Sequence, residues 1–299
     1  MLLLQRGAEA APNPRMGAAP SDPAKTRQQE ITLRLPSSPT PEPSLFAGLS
    51  AGVVVGLAAL VVLPHFLDDL YLVYLNKTYV VWHRVDGRWE ATLGIGKWVL
   101  WAWDFAVYLT LPTLALVFYG RKGWLSWSAF DIKTTHLAGN FAFGMALFAG
   151  IWGVAFFKAL YLNPWLNTLL PRFGYSAFFY RPEDGLVVYA LMAIYVGLAA
   201  GILEEIMYRS FLIRTLERVG LSPWQAGGVA LVAFTLIHAS SGAATLVVAL
   251  FAGGVFTVVY LVRRNILPLI VAHSAIDSFW VSGYDGKLFF FLKPFVLQA

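Results

Sequence analysis

Nineteen consecutive residues, Gly185 to Leu203, carry no charge, and the run closes on two adjacent glutamates, Glu204 and Glu205. A bilayer crossing needs about 20 apolar residues, and this stretch approaches that length. A carboxylate at membrane depth costs about 2.5–3.5 kcal/mol even on lenient insertion scales, so intramembrane charges face a protein interior and mark function. Several other runs are of similar length. Of the 299 residues, 58% are hydrophobic and 13% charged, against about 25% charged in an ordinary soluble domain. The expectation is an all-α protein, a polytopic transmembrane helical bundle of about seven to eight spanning helices.

The ends and the charge refine this picture. Residues 1–44 hold eight of the sixteen prolines and show no apolar periodicity, so they are expected to form a disordered tail. The "MLLL" at the start is too short for a signal-peptide core and has no basic residue before it. With no cysteine, disulfides, thiolate metal sites and a cysteine nucleophile are excluded. The net charge of +5 fits the basic inner loops of a membrane protein, and no nucleic-acid partner is expected.

Helices are expected at about 45–63, 97–119, 138–162, 186–213, 225–240, 243–262 and 266–283, with "LFFFLKPFVL" as a partial eighth. This gives three parts: the tail 1–44, variable membrane helices over 45–185, and a membrane core over 186–299. Around Asp86-Gly87 the segment "TYVVWHRVDGRWEATL" alternates apolar and polar residues, which predicts a surface hairpin near 77–94. Lysines and arginines in the short loops, Arg121, Lys122, Lys133, Arg209, Arg214, Arg218, Arg263 and Arg264, put the N-terminus on the cytoplasmic side. His65, His83 and His136 fall in connecting regions and are read as non-catalytic.

Polar residues enter three of the late helices. Glu204, Glu205 and Arg209 come on the first, His238 on the second, and His273 and Asp277 on the third. Residues four apart share a helix face, so Glu205 can pair with Arg209, Phe234 can stack against His238, and His273 and Asp277 point the same way. Glu204 lies about 100° round the helix from Glu205, so the two carboxylates have different roles, and Glu204 is left to face a cavity. Each group has a structural alternative: a Glu–Arg clasp, or a histidine bridging two helices by a hydrogen bond.

"EEIMYR", "FTLIH" and "HSAID" read as EExxxR, FxxxH and HxxxD. In that order on successive helices, they resemble the family of CAAX proteases and bacteriocin-processing enzymes, whose best-understood branch is the type II CAAX prenyl endopeptidase. The resemblance covers about residues 186 to 283. It implies a glutamic-type intramembrane endopeptidase, a hydrolase acting on a membrane-associated or C-terminally tagged protein. Carried over, Glu204 is the general base and shares a water with His238. His273 and Asp277 stabilise the oxyanion, and Glu205, Arg209 and Phe234 support the site.

The better-known branch has asparagine where this chain has Asp277. An ionised aspartate cannot donate a hydrogen bond, so Asp277 is either protonated or orients His273. No cofactor is expected. The metal alternative is zinc held by His238, His273 and Glu204, although the chain has no HExxH. Two other functions compete with the protease: a non-catalytic membrane immunity or peptide-binding protein, and a proton-coupled transporter. The transporter is disfavoured because no inverted second copy is visible. The expected partners are a peptide or protein substrate at the membrane and the lipid bilayer itself. The expected location is a bacterial inner membrane, with the protein crossing it several times.

Overall fold

The first helix is expected to end at about 63, just before Pro64, which lacks the N–H that an α-helix uses and whose ring presses on the preceding turn. The computed structural model describes residues 45–85, 88–93, 102–103, 105–169 and 186–281. In it, helix α1 runs straight through the proline, over Ala51–Tyr79. Prolines are tolerated in membrane helices where neighbouring groups satisfy the freed backbone. His65 is therefore not in a connection but inside α1, and it is only 2% exposed.

After α1, strands β1 (Val80–Val85) and β2 (Arg88–Leu93) pair antiparallel, with Val80 opposite Leu93 and Val85 opposite Arg88. A π-helical turn, Phe105–Thr110, then leads into α2 (Leu111–Arg121). The chain continues through α3 (Leu137–Tyr161) and the short α4 (Asn163–Leu169). Helix α5 (Leu186–Glu204) passes without a break into a second π segment, Glu205–Leu212, and then α6 (Ile213–Arg218). The last three are α7 (Pro223–Leu236), α8 (Ala243–Arg263) and α9 (Leu267–Val281). The tail 1–44 and the aromatic segment after Val281 lie outside the described residues.

Three stretches among the described residues are long and apolar enough to cross a membrane: Ala51–Leu70, Leu137–Tyr161 and Ala243–Arg263. The larger count expected from the sequence is not reached by this measure. At 14 and 15 residues, α7 and α9 are shorter than a straight crossing requires. Helix α3 presents Phe141, Val154 and Phe157 outward, each about half exposed, as a lipid-facing surface does.

The closest packing joins α5 to α9, followed by α3 to α9, α7 to α8 and α1 to α2. Phe211, Phe256, Met207, Tyr208 and Ile266 fill the centre of the bundle. At one end Asp131, in a left-handed backbone conformation (φ 54°), ties three elements together. It accepts from Arg214 Nε at 2.7 Å and Nη2 at 2.6 Å and from the Tyr260 hydroxyl at 2.6 Å, while its carbonyl accepts from the Ile266 amide at 3.1 Å.

Candidate active site

Helices α5 and α9 approach so closely because glycines face serines. A Cβ on Gly201 would fall 2.6 Å from the Ser274 backbone nitrogen, and one on Gly197 would fall 2.7 Å from the Ser274 carbonyl oxygen. Gly197 and Gly201 are spaced as the small residues of a membrane helix interface are. This contact sets Glu204 and Glu205, one turn beyond Gly201, level with His273.

His273 is then surrounded by carboxylates. Its Nδ1 lies 2.7 Å from Glu205 Oε1, so the proton on Nδ1 is donated to that oxygen. Its Nε2 faces Asp277 Oδ2 at 3.5 Å and Glu204 Oε2 at 3.7 Å. The same Glu205 oxygen pairs with Arg209 Nη1 at 3.1 Å, both side chains being almost fully buried. Glu205 thus contacts His273 and Arg209, whereas the resemblance implies that it steadies Glu204. The Arg209 guanidinium lies over the Phe234 ring at 3.9 Å and near the Phe256 ring at 5.6 Å. Stacking on aromatic faces is what a planar, weakly hydrated guanidinium does well. Phe234 also separates the two histidines, with ring centroids 5.0 Å from His238 and 5.9 Å from His273.

His238 does not sit on a helix, as the sequence reading had it. A capping box of Ser222 and Gln225, with Pro223 at the first turn, starts α7, and that helix ends at Leu236. His238 follows in the turn that leads to a single 3₁₀ turn, Ala239–Ser241. Its Nδ1 is 2.9 Å from the Phe234 carbonyl oxygen. A carbonyl only accepts, so Nδ1 holds a proton, and in the neutral ring the lone pair is on Nε2.

Glu204 is 4% exposed. The Tyr108 hydroxyl donates to its Oε1, and its Oε2 has no hydrogen-bond partner among the described residues. His65, His238 and His273 all act on it electrostatically. The arrangement brings a buried carboxylate with one uncommitted oxygen together with histidines that differ in which nitrogen is engaged, and those are the parts that acid–base chemistry on a water requires.

The Nδ1 of His273 is engaged by Glu205 and that of His238 by a backbone carbonyl, which leaves Nε2 of each ring as its ligand-facing nitrogen. Among the described residues, no group of three or more histidine, cysteine or acidic side chains is found that could hold a metal ion.

Sequence reasoning missed His65, Asp69, Tyr108, Tyr208 and Ser240. Tyr108 and His65 stack with ring centroids 4.1 Å apart, and the Tyr208 hydroxyl is 3.4 Å from His65 Nδ1. Asp69 accepts a hydrogen bond from the Ser240 hydroxyl. A signal for two of them was present: "HFLDD" places His65 and Asp69 four apart, the spacing of His273 and Asp277.

No curated protein and no solved structure matches the chain. Residues 186–279 match the family model described as "Rce1-like: Type II CAAX prenyl endopeptidase Rce1-like", a match that takes in Glu204, His238, His273 and Asp277 and agrees with the CAAX protease family that the three motifs resemble.

Proposed function

We propose that this chain is an intramembrane endopeptidase that hydrolyses a peptide bond with a water activated by Glu204. The observation that carries the reading is the buried Glu204 carboxylate, with Oε1 bonded by Tyr108 and Oε2 without a hydrogen-bond partner among the described residues. Oε2 takes a proton from water while the oxygen attacks the carbonyl carbon of the substrate. His238 Nε2 accepts the second hydrogen of that water and fixes its lone pair on the carbonyl. The resulting oxyanion is held by His273 Nε2, a role that requires protons on both ring nitrogens. The C–N bond then breaks, and Glu204 returns its proton to the leaving amine. Fixed donors in a water-poor site stabilise a developing oxyanion far better than solvent does.

The reaction needs no metal. Asp277 assists at the oxyanion, either directly or through His273. The substrate class is a membrane-associated or C-terminally tagged protein, presented in a bacterial inner membrane with the N-terminus of this chain cytoplasmic.

The test compares protein termini, by mass spectrometry of membrane and secreted fractions, in cells with the native chain and with Glu204→Gln. Termini lost in a variant that accumulates normally are the expected result, and they identify both substrate and cut. Unchanged termini would favour a peptide-binding or immunity protein that cuts nothing.

A further inference from the structure

The family-matched segment begins at residue 186, yet the Glu204 carboxylate is held from outside it. Tyr108, in the π turn before α2, donates its hydroxyl to Glu204 Oε1. Such turns recur at functional sites. Tyr108 is in turn held by His65 of α1. Their rings stack at 4.1 Å with only 5° between the planes, and His65 Nε2 lies 3.2 Å from the Tyr108 backbone carbonyl. Because that carbonyl only accepts, His65 carries its proton on Nε2, and its Nδ1 is left to receive the Tyr208 hydroxyl at 3.4 Å. Tyr208 lies in the π segment that follows Glu204, which closes the chain of contacts back onto the glutamate's own helix.

We propose that Tyr108 and His65 are positioning residues for Glu204, a role that rests on the peptidase reading. A carboxylate is free to rotate about its last bond, and either oxygen then serves as base. A donor fixed on Oε1 stops that rotation and leaves Oε2, which faces His273 Nε2 at 3.7 Å, as the proton-accepting atom. Holding a reacting group in one geometry supplies a large share of an enzyme's rate. His65 makes the donor rigid. The same face of α1 acts a second time: Asp69, one turn on from His65, accepts from Ser240, two residues past His238. Helix α1 thereby touches the supports of both groups that handle the water.

Tyr108→Phe tests this, because it keeps the ring on His65 and removes only the hydroxyl. The probe is a peptide spanning the Glu204-dependent cut, in proteoliposomes. Loss of a hydrogen bond to a charged group predicts a fall in kcat of about ten- to hundred-fold, with KM unchanged. Tyr119→Phe is the matched control. It removes a hydroxyl bond of 2.9 Å from α2 to the Leu57 carbonyl of α1, away from the glutamate, and should leave kcat within about two-fold. His65→Gln, which keeps a donor for the Tyr108 carbonyl, should retain more activity than His65→Ala.

A second readout does not depend on cleavage. The infrared carboxylate band that disappears in Glu204→Gln should shift in Tyr108→Phe and stay in place in Tyr119→Phe. If Glu204→Gln spares every terminus, the peptidase reading fails, and this band alone decides whether Tyr108 holds the carboxylate. A native kcat, or an unmoved band, in folded Tyr108→Phe would overturn the proposal.

Discussion

On the proposed peptidase mechanism, replacing Gly201 by alanine should damage catalysis more than its single methyl suggests. The added Cβ would meet Ser274 at three atoms: Oγ at 2.1 Å, the backbone nitrogen at 2.6 Å and Cα at 2.9 Å. The hydroxyl can rotate away, but the backbone cannot. Restoring ordinary contact forces α5 and α9 apart by about 0.8 Å at this level. That displacement is delivered where it matters, because Glu204 is one turn beyond Gly201 and His273 directly precedes Ser274. The 2.7 Å bond from His273 to Glu205 and the 3.7 Å approach of His273 to Glu204 both span the same interface. A misplacement near 1 Å can cost about 10²-fold in rate, so kcat should fall by roughly ten- to hundred-fold. Overpacking should also cost about 1–3 kcal/mol of stability. The assay is peptide cleavage in proteoliposomes, beside thermal unfolding in detergent. Gly150→Ala and Gly228→Ala serve as controls, since a Cβ at either meets nothing within 4 Å. They should leave the rate unchanged and, by helix propensity, add up to about 1 kcal/mol. A folded Gly201→Ala protein that cleaves at the native rate would refute the argument that this contact sets the catalytic geometry.

Other substitutions separate structural from chemical roles. Arg209→Met strands the fully buried Glu205 without its arginine and should cost about 3–5 kcal/mol. Adding Glu205→Gln should recover much of that loss in the same unfolding measurement. Asp131→Ala leaves Arg214 and the Tyr260 hydroxyl without their shared acceptor, and unfolding should show a loss of about 3–5 kcal/mol. Arg264→Ala breaks a pair with Glu217 whose side chains are 28% and 23% exposed, so its loss should be about 1 kcal/mol or less. On the proposed mechanism, in which Asp277 assists at the oxyanion, Asp277→Ala should lower kcat by about 10²-fold. Asp277→Asn, which supplies an N–H donor, should stay within about ten-fold of the native rate.

What the sequence shows and what it hides follow from the range of the interactions. Glu205 and Arg209 are four residues apart on one helix, and their pairing is visible in spacing alone. The order of the three motifs is likewise local information, and it agrees with the segment matched by the family model. The bond from Glu205 to His273 is different in kind. It spans 68 residues and depends on Gly201 meeting Ser274, which no local pattern encodes. Tyr108 reaches Glu204 across 96 residues, from a half of the chain that carries no motif. His65 was obscured because the first helix was expected to end at about 63, whereas it continues to Tyr79. His238 was misplaced for the opposite reason: apolar periodicity runs on past Leu236, where the helix itself stops.

The glycine–serine contact also bears on how the protein answers its lipid environment. A bilayer thicker or thinner than a helix is long is accommodated by tilting or kinking, and packed helices can also shear past one another. Sliding is obstructed between α5 and α9, because the serine backbone sits directly against the glycine positions. Lipids of different chain length should therefore tilt the two helices together as one body. The spacing of the polar groups they carry would then be insulated from membrane thickness, even where the outer helices adjust to it.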